Sequence, residues 1–349
     1  MDIRAKILWF AANWRLKADD PFIIAITGSI AKTSTKEAIG AVLSHAFGSS
    51  QVRVGFGNLN TELGLPLAIL GYHIDFYKQK VTWRWPFILL VAIVRSLFMP
   101  IPRYLVLEMG ADKPGDLAKL TAHVRPNIGV VTIIGEAHLM NYPTQADLAQ
   151  EKAELIRSVR AGGVAVINRR DPFREYLAKQ AAVSVVEFDC ATSEIAHTVA
   201  ETIGKQLNVK SEAIGHALSS AWQPAGRMRV LEGRYTIVDD SYNASPTSMA
   251  AALEKLHHMP NRKVAILGSM LELGRDEVKF HEEVGVLAHG TADLVIGVGD
   301  LAKHYQPNQW FATSAEAAKE VVAFLQKGDS ILVKGSHGIR TDIIVEALQ

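Results

Sequence analysis

The stretch FIIAITGSIAKTSTKE, residues 22–37, decides the fold class because an apolar run leads directly into a glycine-containing loop and then into a helical pattern. Residues 22–27 have the continuous apolar character of a strand that is buried on both faces of a parallel sheet. The loop that follows precedes a helix predicted from about residue 33 to 47. Such a loop points backbone N–H groups at phosphate oxygens beside a helix N-terminus. The stretch therefore predicts a nucleotide-phosphate loop, with a Gly-Ser turn capping an ordinary helix as the alternative.

Two side chains of this loop carry the chemistry expected of it. Lys32 would reach the β- and γ-phosphates of ATP, and the hydroxyl of Thr33 would hold Mg²⁺. The spacing G-x-x-A-K-T is shorter than that of the standard phosphate loop. Ala31 stands where a glycine is expected just before the lysine.

Seven further apolar runs resemble the first and alternate with helical stretches. They are residues 103–109, 127–134, 163–168, 235–240, 263–268, 294–299 and 331–335. This alternation predicts an α/β fold with parallel sheets. The segment WQPAG, residues 222–226, is the predicted joint, so we expect domains at 1–225 and 226–349. Ligands of such sheets bind at the carboxyl ends of the strands.

Composition excludes several classes of protein. Among 349 residues, 37 basic and 36 acidic side chains leave a net charge of +1, which gives no support to a nucleic-acid partner. With 48% apolar and 21% charged residues the chain is not largely disordered. Cys190 is the single cysteine, which excludes an internal disulfide and a cysteine-rich zinc module and fits a reducing compartment.

Two apolar segments raise the question of membrane contact. Residues 1–20 predict an N-terminal helix, which either packs on the following domain or lies on a membrane surface; they do not resemble a secretory signal. The run Trp83–Val94, within an apolar insertion at 78–102, is too short to span a bilayer. It predicts a buried helix or hairpin, with an interfacial patch as the alternative. We expect a cytoplasmic protein, with weak peripheral contact to the inner face of the membrane as a hypothesis.

Polar residues after two of the strands suit a metal site. Glu108 ends the strand at 103–109, where a carboxylate beside a phosphate loop is a suitable Mg²⁺ ligand, the alternative being a solvated strand end. His138 follows the strand at 127–134, and on its own it is more typical of a hydrogen-bonded structural histidine. Lys152 and Glu154, taken alone, indicate only a charged helix face.

Taken in order, these motifs resemble those of the Mur ligase family over roughly residues 20–349. Nine motifs in register carry the resemblance: TGSIAKTSTKE (27–37), GNLNTELGLPLAIL (57–70), LVLEMGADKPGDL (105–117), RPNIGVVTIIGEAHL (125–139), EKAELI (151–156), GRMRVL (226–231), VDDSYNASPTSMAAAL (238–253), ILGSMLELG (266–274) and VKGSHGIRTD (333–342). The most similar branch adds D-alanyl-D-alanine to UDP-N-acetylmuramoyl-tripeptide. The resemblance implies an α/β chain with a P-loop ATPase domain built on a mainly parallel sheet and a smaller Rossmann-like C-terminal domain. It also implies an ATP-dependent peptide ligase that phosphorylates a carboxylate, after which an amine attacks the acyl phosphate. ATP and Mg²⁺ are the implied cofactors, and we expect a monomer with peptide substrates.

The resemblance also implies roles for residues around ATP and the metal. The residues implied to hold ATP are Gly28, Ser29, Ala31, Lys32, Thr33 and Ser34 at the phosphates, with Asp239 and Asn243 at ribose and adenine. The implied metal ligands are Thr33, Glu108, His138 and Lys152, the last as a carbamylated lysine. Arg227 would face the γ-phosphate and, with Lys32, His138 and Lys152, would complete the catalytic set. Because Lys32 and Arg227 lie on opposite sides of the predicted joint, domain closure over ATP is expected.

For the two peptide substrates, the resemblance implies one group of residues in each domain. The acyl substrate would be contacted by Asn58, Asn60 and Thr61, and the incoming dipeptide by Lys334, Ser336 and His337.

Several positions depart from the family pattern. Family members normally have a substantial N-terminal domain that holds the UDP-sugar, whereas only about 20 residues precede the first strand here. The acyl substrate is then held by the remaining domains or by a partner, or it has a different carrier. Ser245 replaces an asparagine, Ser269 an aspartate and His337 an arginine. The alternatives are a related amino-acid ligase, such as a folylpolyglutamate-type enzyme, and a nucleotide-binding scaffold protein.

Overall fold

The computed structural model describes residues 2–57, 59–73, 84–136, 140–219 and 223–349. They divide into two compact units. The first consists of Met1–Ile134, Thr144–Cys190 and Glu194–Trp222, and the second of Gly135–Pro143, Ala191–Ser193 and Gln223–Gln349.

The first unit is built on a six-stranded sheet in which every neighbouring pair is parallel, in the order β2-β3-β1-β4-β5-β6. Its strands are β1 (Phe22–Thr27), β2 (Val52–Val54), β3 (Tyr104–Glu108), β4 (Ile128–Val131), β5 (Val164–Asn168) and β6 (Ser184–Phe188). The register pairs Ile26 with Glu108 and Thr27 with Val131. The ends of β1, β3 and β4 therefore meet at one edge, and the predicted mainly parallel sheet is confirmed.

Helices cover both faces of this sheet. They are α1 (Ile3–Asp19), α2 (Lys32–Phe47), α3 (Gly64–Ile69), α4 (Trp85–Phe98), α5 (Asp116–Thr121), α6 (Gln145–Arg157), α7 (Arg174–Gln180), α8 (Ile195–Gln206) and α9 (Ser211–Ser219). Side chains of β1 alternate between the two cores: Ile23 and Ala25 join the core that contains α1, whereas Ile24 and Ile26 join the core of α2 and α8. This alternation follows from the two-residue period of a strand and explains why β1 is apolar throughout.

The two apolar segments near the N-terminus both form helices. α1 buries Leu8 and Ala12 against the unit, so the predicted helix packed on the following domain is confirmed. In α4 only one face is buried, with Ile88 and Ala92 in the core, while the opposite face is exposed. The predicted burial of this segment is therefore confirmed for the inner face and wrong for the outer face, which no described residue covers; Trp83 lies outside the described residues. Across the described ranges, no helix has the length and apolarity needed to cross a bilayer.

The second unit contains a six-stranded sheet in the order β11-β10-β9-β12-β8-β7. Its strands are β7 (Arg229–Glu232), β8 (Thr236–Asp240), β9 (Lys263–Gly268), β10 (Leu294–Val298), β11 (Gln309–Phe311) and β12 (Ser330–Lys334). All neighbours are parallel except β7, which pairs antiparallel with β8. The helices are α10 (Pro246–His257), α11 (Glu277–Thr291), α12 (Ser314–Glu320) and α13 (Asp342–Leu348). This arrangement confirms the predicted second α/β domain.

Candidate functional site

The phosphate loop joins β1 to α2 through two unusual backbone positions. Gly28 has φ +139°, and a Cβ there would lie 2.0 Å from Oγ1 of Thr132, so only glycine fits. The amide of Ser29 donates to the carbonyl of Ile133 at 2.7 Å, which fixes the loop against the end of β4. Ala31 has φ +61°, a left-handed conformation that is unfavourable for alanine. Ala31 therefore adopts the backbone conformation that favours the glycine expected at this position of the motif.

Residues from three segments meet around the carboxylate of Glu108. This side chain is only 5% exposed. Its Oε2 accepts from the Thr33 hydroxyl at 2.6 Å, and its Oε1 accepts from the Asn60 amide at 2.8 Å. Lys32 stays with the loop, its Nζ donating to the Ser29 carbonyl at 3.3 Å. The structure thus brings together predicted residues from the phosphate loop, the end of β3 and the loop after β2.

Lys152 on α6 is a buried amine with no hydrogen-bond partner among the residues that the structure describes. The residue is 1% exposed. Burial lowers the pKa of its ammonium group to about 7, and the positive charge of Lys32 acts in the same direction. The carboxylates of Glu151, Asp112 and Glu108 oppose this shift. At neutral pH a large share of this side chain is therefore a neutral, nucleophilic amine.

Glu151, next to this lysine, has a structural role that the sequence did not indicate. Its two carboxylate oxygens accept from the amides of Gly115 at 2.8 Å and Leu117 at 2.7 Å. These amides lie at the start of α5, where a helix leaves its N–H groups without internal partners. The charged-face interpretation of this part of α6 was wrong for Lys152, which is buried, whereas Glu154 does lie near the surface and pairs with Arg157 at 2.6 Å.

The residues present fit a Mg²⁺ ion bound together with a nucleotide. Glu108 supplies a buried carboxylate, Thr33 a hydroxyl, and Lys152 an amine whose carbamylation would add two oxygens. Within the described ranges, no group of three or more His, Cys, Asp or Glu forms a metal site by itself. Mg²⁺ takes few protein ligands and completes its shell with phosphate and water, so such a sparse set suits it. His138 lies outside the described residues, and so does Asn58.

Two buried charged residues that sequence reasoning missed hold the loops around this site. Lys36, 1% exposed, donates from Nζ to the Gly57 carbonyl at 2.7 Å and so ties α2 to the loop that contains Asn60 and Thr61. Thr61 itself is exposed. Asp171 accepts from the amide of Ile134 at 2.7 Å, just beyond β4. Burial raises the pKa of the Asp171 carboxyl to about 6.

In the second unit, Arg227 lies just after the turn at residues 225–226, and Asp239 lies in β8. The Arg227 guanidinium stacks 3.9 Å from the ring centre of Tyr242. The Asp239 carboxylate accepts from the Gly226 amide at 2.9 Å and from the Ser241 hydroxyl at 2.7 Å. It is 3% exposed, so its observed contacts hold the turn that leads into Arg227.

The remaining predicted residues of the second unit divide into buried and exposed ones. Lys334 is buried and donates to the Asp240 carboxylate and to the Asn243 carbonyl, the latter at 2.8 Å. Burial raises the pKa of Asp240, and the charge of Lys334 opposes the rise. Ser336 is also buried, its hydroxyl accepting from the Leu271 amide at 2.8 Å. The side chains of Asn243 and His337 are exposed.

Comparison with known families identifies the chain. The model described as "Mur ligase middle domain" matches residues 94–230, and the model described as "Mur ligase, glutamate ligase domain" matches residues 226–337. Together they cover well over half of the sequence. The chain belongs to the Mur ligase family. The family predicted from the nine motifs is therefore confirmed.

Relatives of this Mur ligase share its fold along nearly the whole chain. UDP-N-acetylmuramoyl-tripeptide--D-alanyl-D-alanine ligase from Buchnera aphidicola subsp. Baizongia pistaciae is 26% identical, over 97% of this chain and 77% of the relative. The crystal structure of MurF from Acinetobacter baumannii superposes with a TM-score of 0.83 at 24% identity, over 99% of this chain and 80% of that one. MurF ligase from Thermotoga maritima in complex with ADP superposes with a TM-score of 0.82 at 24% identity, over 98% of this chain and 83% of that one.

Proposed function

We propose that this Mur ligase is an ATP-dependent, amide-bond-forming enzyme of peptidoglycan precursor synthesis in the cytoplasm. Its substrates would be D-alanyl-D-alanine and a UDP-N-acetylmuramoyl-tripeptide-like acyl compound. The names of the relatives support this substrate pair. The observation that carries the proposal is the amine of Lys152. It is buried, it is influenced by the charges of Lys32 and Glu108, and it has no hydrogen-bond partner among the described residues. A purely structural lysine would be expected to have a hydrogen-bond acceptor.

The nucleotide would bind with its phosphates over the loop between β1 and α2. The position of this loop directly before the N-terminus of α2 supports the arrangement, because backbone amides at a helix N-terminus point toward an anion. The amide of Ala31, the side chains of Ser29, Lys32 and Ser34, and the start of α2 would complete the predicted phosphate site. Arg227 would add a positive charge at the γ-phosphate when the enzyme closes.

The reaction would proceed in two substitutions. A carboxylate oxygen of the acyl substrate attacks the γ-phosphorus, the bond to ADP breaks, and an acyl phosphate forms. The amine nitrogen of D-alanyl-D-alanine then attacks the carbonyl carbon, inorganic phosphate leaves, and the nitrogen loses a proton. Lys32 and Arg227 would bind the transferring phosphoryl group and offset its charge, while Asn60 and Thr61, with Asn58, would orient the acyl substrate.

Lys152 would act after carbamylation. Its neutral amine attacks CO₂, an N–C bond forms, the nitrogen loses a proton, and a carboxylate-like group results. With Thr33, Glu108 and His138 this group would hold Mg²⁺, which when bound supplies positive charge to the phosphate oxygens. The low pKa of Lys152 supports this step because the protonated amine does not react.

In the second unit, the exposed Asn243 and His337 are the predicted residues whose side chains are accessible to a ligand. We propose that Asn243 faces the nucleoside and that His337 faces the incoming dipeptide. Asp239 would act through the turn that it holds at Gly226, thereby positioning Arg227. Lys334 and Ser336 would shape the dipeptide site through their buried bonds.

The test is phosphate release from Mg²⁺-ATP with UDP-N-acetylmuramoyl-tripeptide, with and without D-alanyl-D-alanine. Release that requires both substrates, with the pentapeptide product seen by mass spectrometry, is the expected result. Lys32→Ala should abolish release and weaken ATP binding, whereas Lys119→Ala, an exposed lysine on α5, should behave like the unchanged protein.

Two other outcomes would redirect the assignment. Release with a different amine or acyl compound from a substrate panel would identify a related amino-acid ligase, such as a folylpolyglutamate-type enzyme. ATP binding with no release for any substrate pair would identify a nucleotide-binding scaffold and would refute the ligase proposal.

A further inference from the structure

Helix α4 has apolar residues on two opposite faces. Its inner face packs into the core through Ile88 and Ala92. The outer face consists of large apolar side chains that are between 41% and 77% exposed: Phe87, Leu90, Ile93, Val94, Leu97 and Phe98. A surface helix of a globular protein ordinarily has a polar outer face, whereas no residue that the structure describes covers this apolar one.

Helix α1 presents a second apolar row. Ile3, Phe10 and Trp14 are 68%, 76% and 45% exposed. Their spacing of seven and four residues places them on one face of the helix. Lys6 and Lys17 lie exposed along the same helix. α1 therefore repeats the pattern of α4, with basic residues beside the apolar row.

The two helices are parallel neighbours fixed at both ends. At their N-terminal ends, the Arg4 guanidinium stacks 4.7 Å from the ring centre of Trp85. At their C-terminal ends, the Asp19 carboxylate accepts from the Ile101 amide at 2.7 Å and also pairs with Arg15. The apolar rows are thus held on a defined scaffold. We call them together the α1/α4 face.

Charge is distributed unevenly between this region and the rest of the chain. Residues 2–20 and 84–103 contain seven basic and three acidic side chains, a net charge of +4, whereas the whole chain has +1. The remaining sequence is therefore net negative. Asp2 and Asp19 are each paired with an arginine of α1, to Arg4 and Arg15 respectively, so their charges are offset locally.

We propose that the α1/α4 face binds the surface of a bilayer that contains anionic phospholipids, with both helices lying in the plane of the interface. Apolar side chains would enter the acyl boundary, and lysine and arginine would meet the headgroups. A 14-residue helix is about 21 Å long, less than the roughly 30 Å hydrocarbon core, which favours lying on the membrane over crossing it. Of the charged residues in the two segments, Lys6, Lys17, Arg84 and Arg103 are exposed on the basic side, against Asp2 and Asp20 on the acidic side. This positive excess favours an anionic lipid surface over a second copy of the same face.

The experiment is sedimentation of the full chain with vesicles of phosphatidylcholine alone or with about 30% phosphatidylglycerol. Binding to the anionic vesicles is expected, and weakening between about 0.1 and 0.5 M salt is expected because the headgroup attraction is screened. Leu90→Gln/Leu97→Gln should lower the affinity at least about tenfold. The matched control is Val286→Gln/Leu287→Gln, two exposed apolar residues of α11, which should leave binding unchanged.

Three results would overturn the proposal. No sedimentation with anionic vesicles, or equal loss of binding in both double variants, would refute a lipid-binding α1/α4 face. Dimers detected by light scattering that disappear in Leu90→Gln/Leu97→Gln, without vesicle binding, would identify a second copy as the occupant. If circular dichroism shows that this variant is unfolded, Phe10→Ser on α1 provides the same test. Because vesicle binding is measured without substrates, its result does not depend on the proposed ligase activity.

Discussion

The carboxyl edges of the two sheets use their buried lysines in opposite ways. In the first unit, Lys152 has no described hydrogen-bond partner. In the second, Lys334 is equally buried but pairs with Asp240 on the neighbouring strand and with the Asn243 carbonyl. A buried charge that is paired contributes to holding the fold, whereas a buried amine without a partner costs stability unless it loses its proton. Lys152 therefore has the character of a reactive group at the first edge, whereas Lys334 and Asp240 hold the structure at the second.

The largest effect is expected from Lys152→Met. Phosphate release should fall about 1000-fold, because charge stabilisation at the phosphates is lost. Thermal stability should stay equal or rise, since a buried amine is replaced by an apolar side chain of similar length. ATP binding should remain largely intact, and added short carboxylates should restore part of the activity. Lys119→Met is the control, and unchanged turnover in Lys152→Met would show that the proposed role is wrong.

For the second edge, Lys334→Met should lower the free energy of unfolding by about 3 kcal/mol, because it leaves the largely buried Asp240 carboxylate without its cation. Denaturant titration of Lys334→Met and of the unchanged protein measures this difference in the free energy of unfolding. Adding Asp240→Asn should recover part of the loss, since the orphaned charge is removed. In contrast, Lys303→Met, which breaks an exposed pair with Asp300, should change stability by less than about 0.5 kcal/mol. Equal effects of Lys334→Met and Lys303→Met would contradict the scaffold role.

The smallest effect concerns strain in the phosphate loop. Ala31→Gly should stabilise the protein by about 0.5–1 kcal/mol, because glycine adopts φ +61° without steric cost. Ala41→Gly, inside α2, is the matched control and should destabilise by about 1 kcal/mol. If both substitutions destabilise equally, the left-handed conformation at Ala31 carries no strain.

Much of the fold was predictable because eight strands have long apolar runs. All eight runs form strands, and no strand extends more than one residue beyond its predicted segment. The strands that were missed are short or carry charged residues: β2, β6, β7 and β11. β2 and β11 have three residues each, too few for a periodic pattern to be recognised.

The site was predictable where it depends on neighbours in sequence and not where it depends on contacts between distant segments. The motif around Lys32 and the strand end at Glu108 carry local signals. The burial of Lys152 has none, because EKAELI is equally compatible with an exposed helix face. Likewise, the bonds from Glu151 to Gly115 and from Lys334 to Asn243 join residues 36 and 91 positions apart.

Gly28 has a consequence for how this gene can change. Two separate constraints act there. Thr132 leaves no room for a Cβ atom, and the backbone has a φ of +139°, which residues with a side chain rarely adopt. Shortening Thr132 would relieve the first constraint and leave the second untouched. No single second-site mutation should therefore rescue a non-glycine codon at position 28. A suppressor screen started from Gly28→Ala should return only true revertants to glycine. Position 28 should therefore not be able to change through any single compensating mutation elsewhere in the protein.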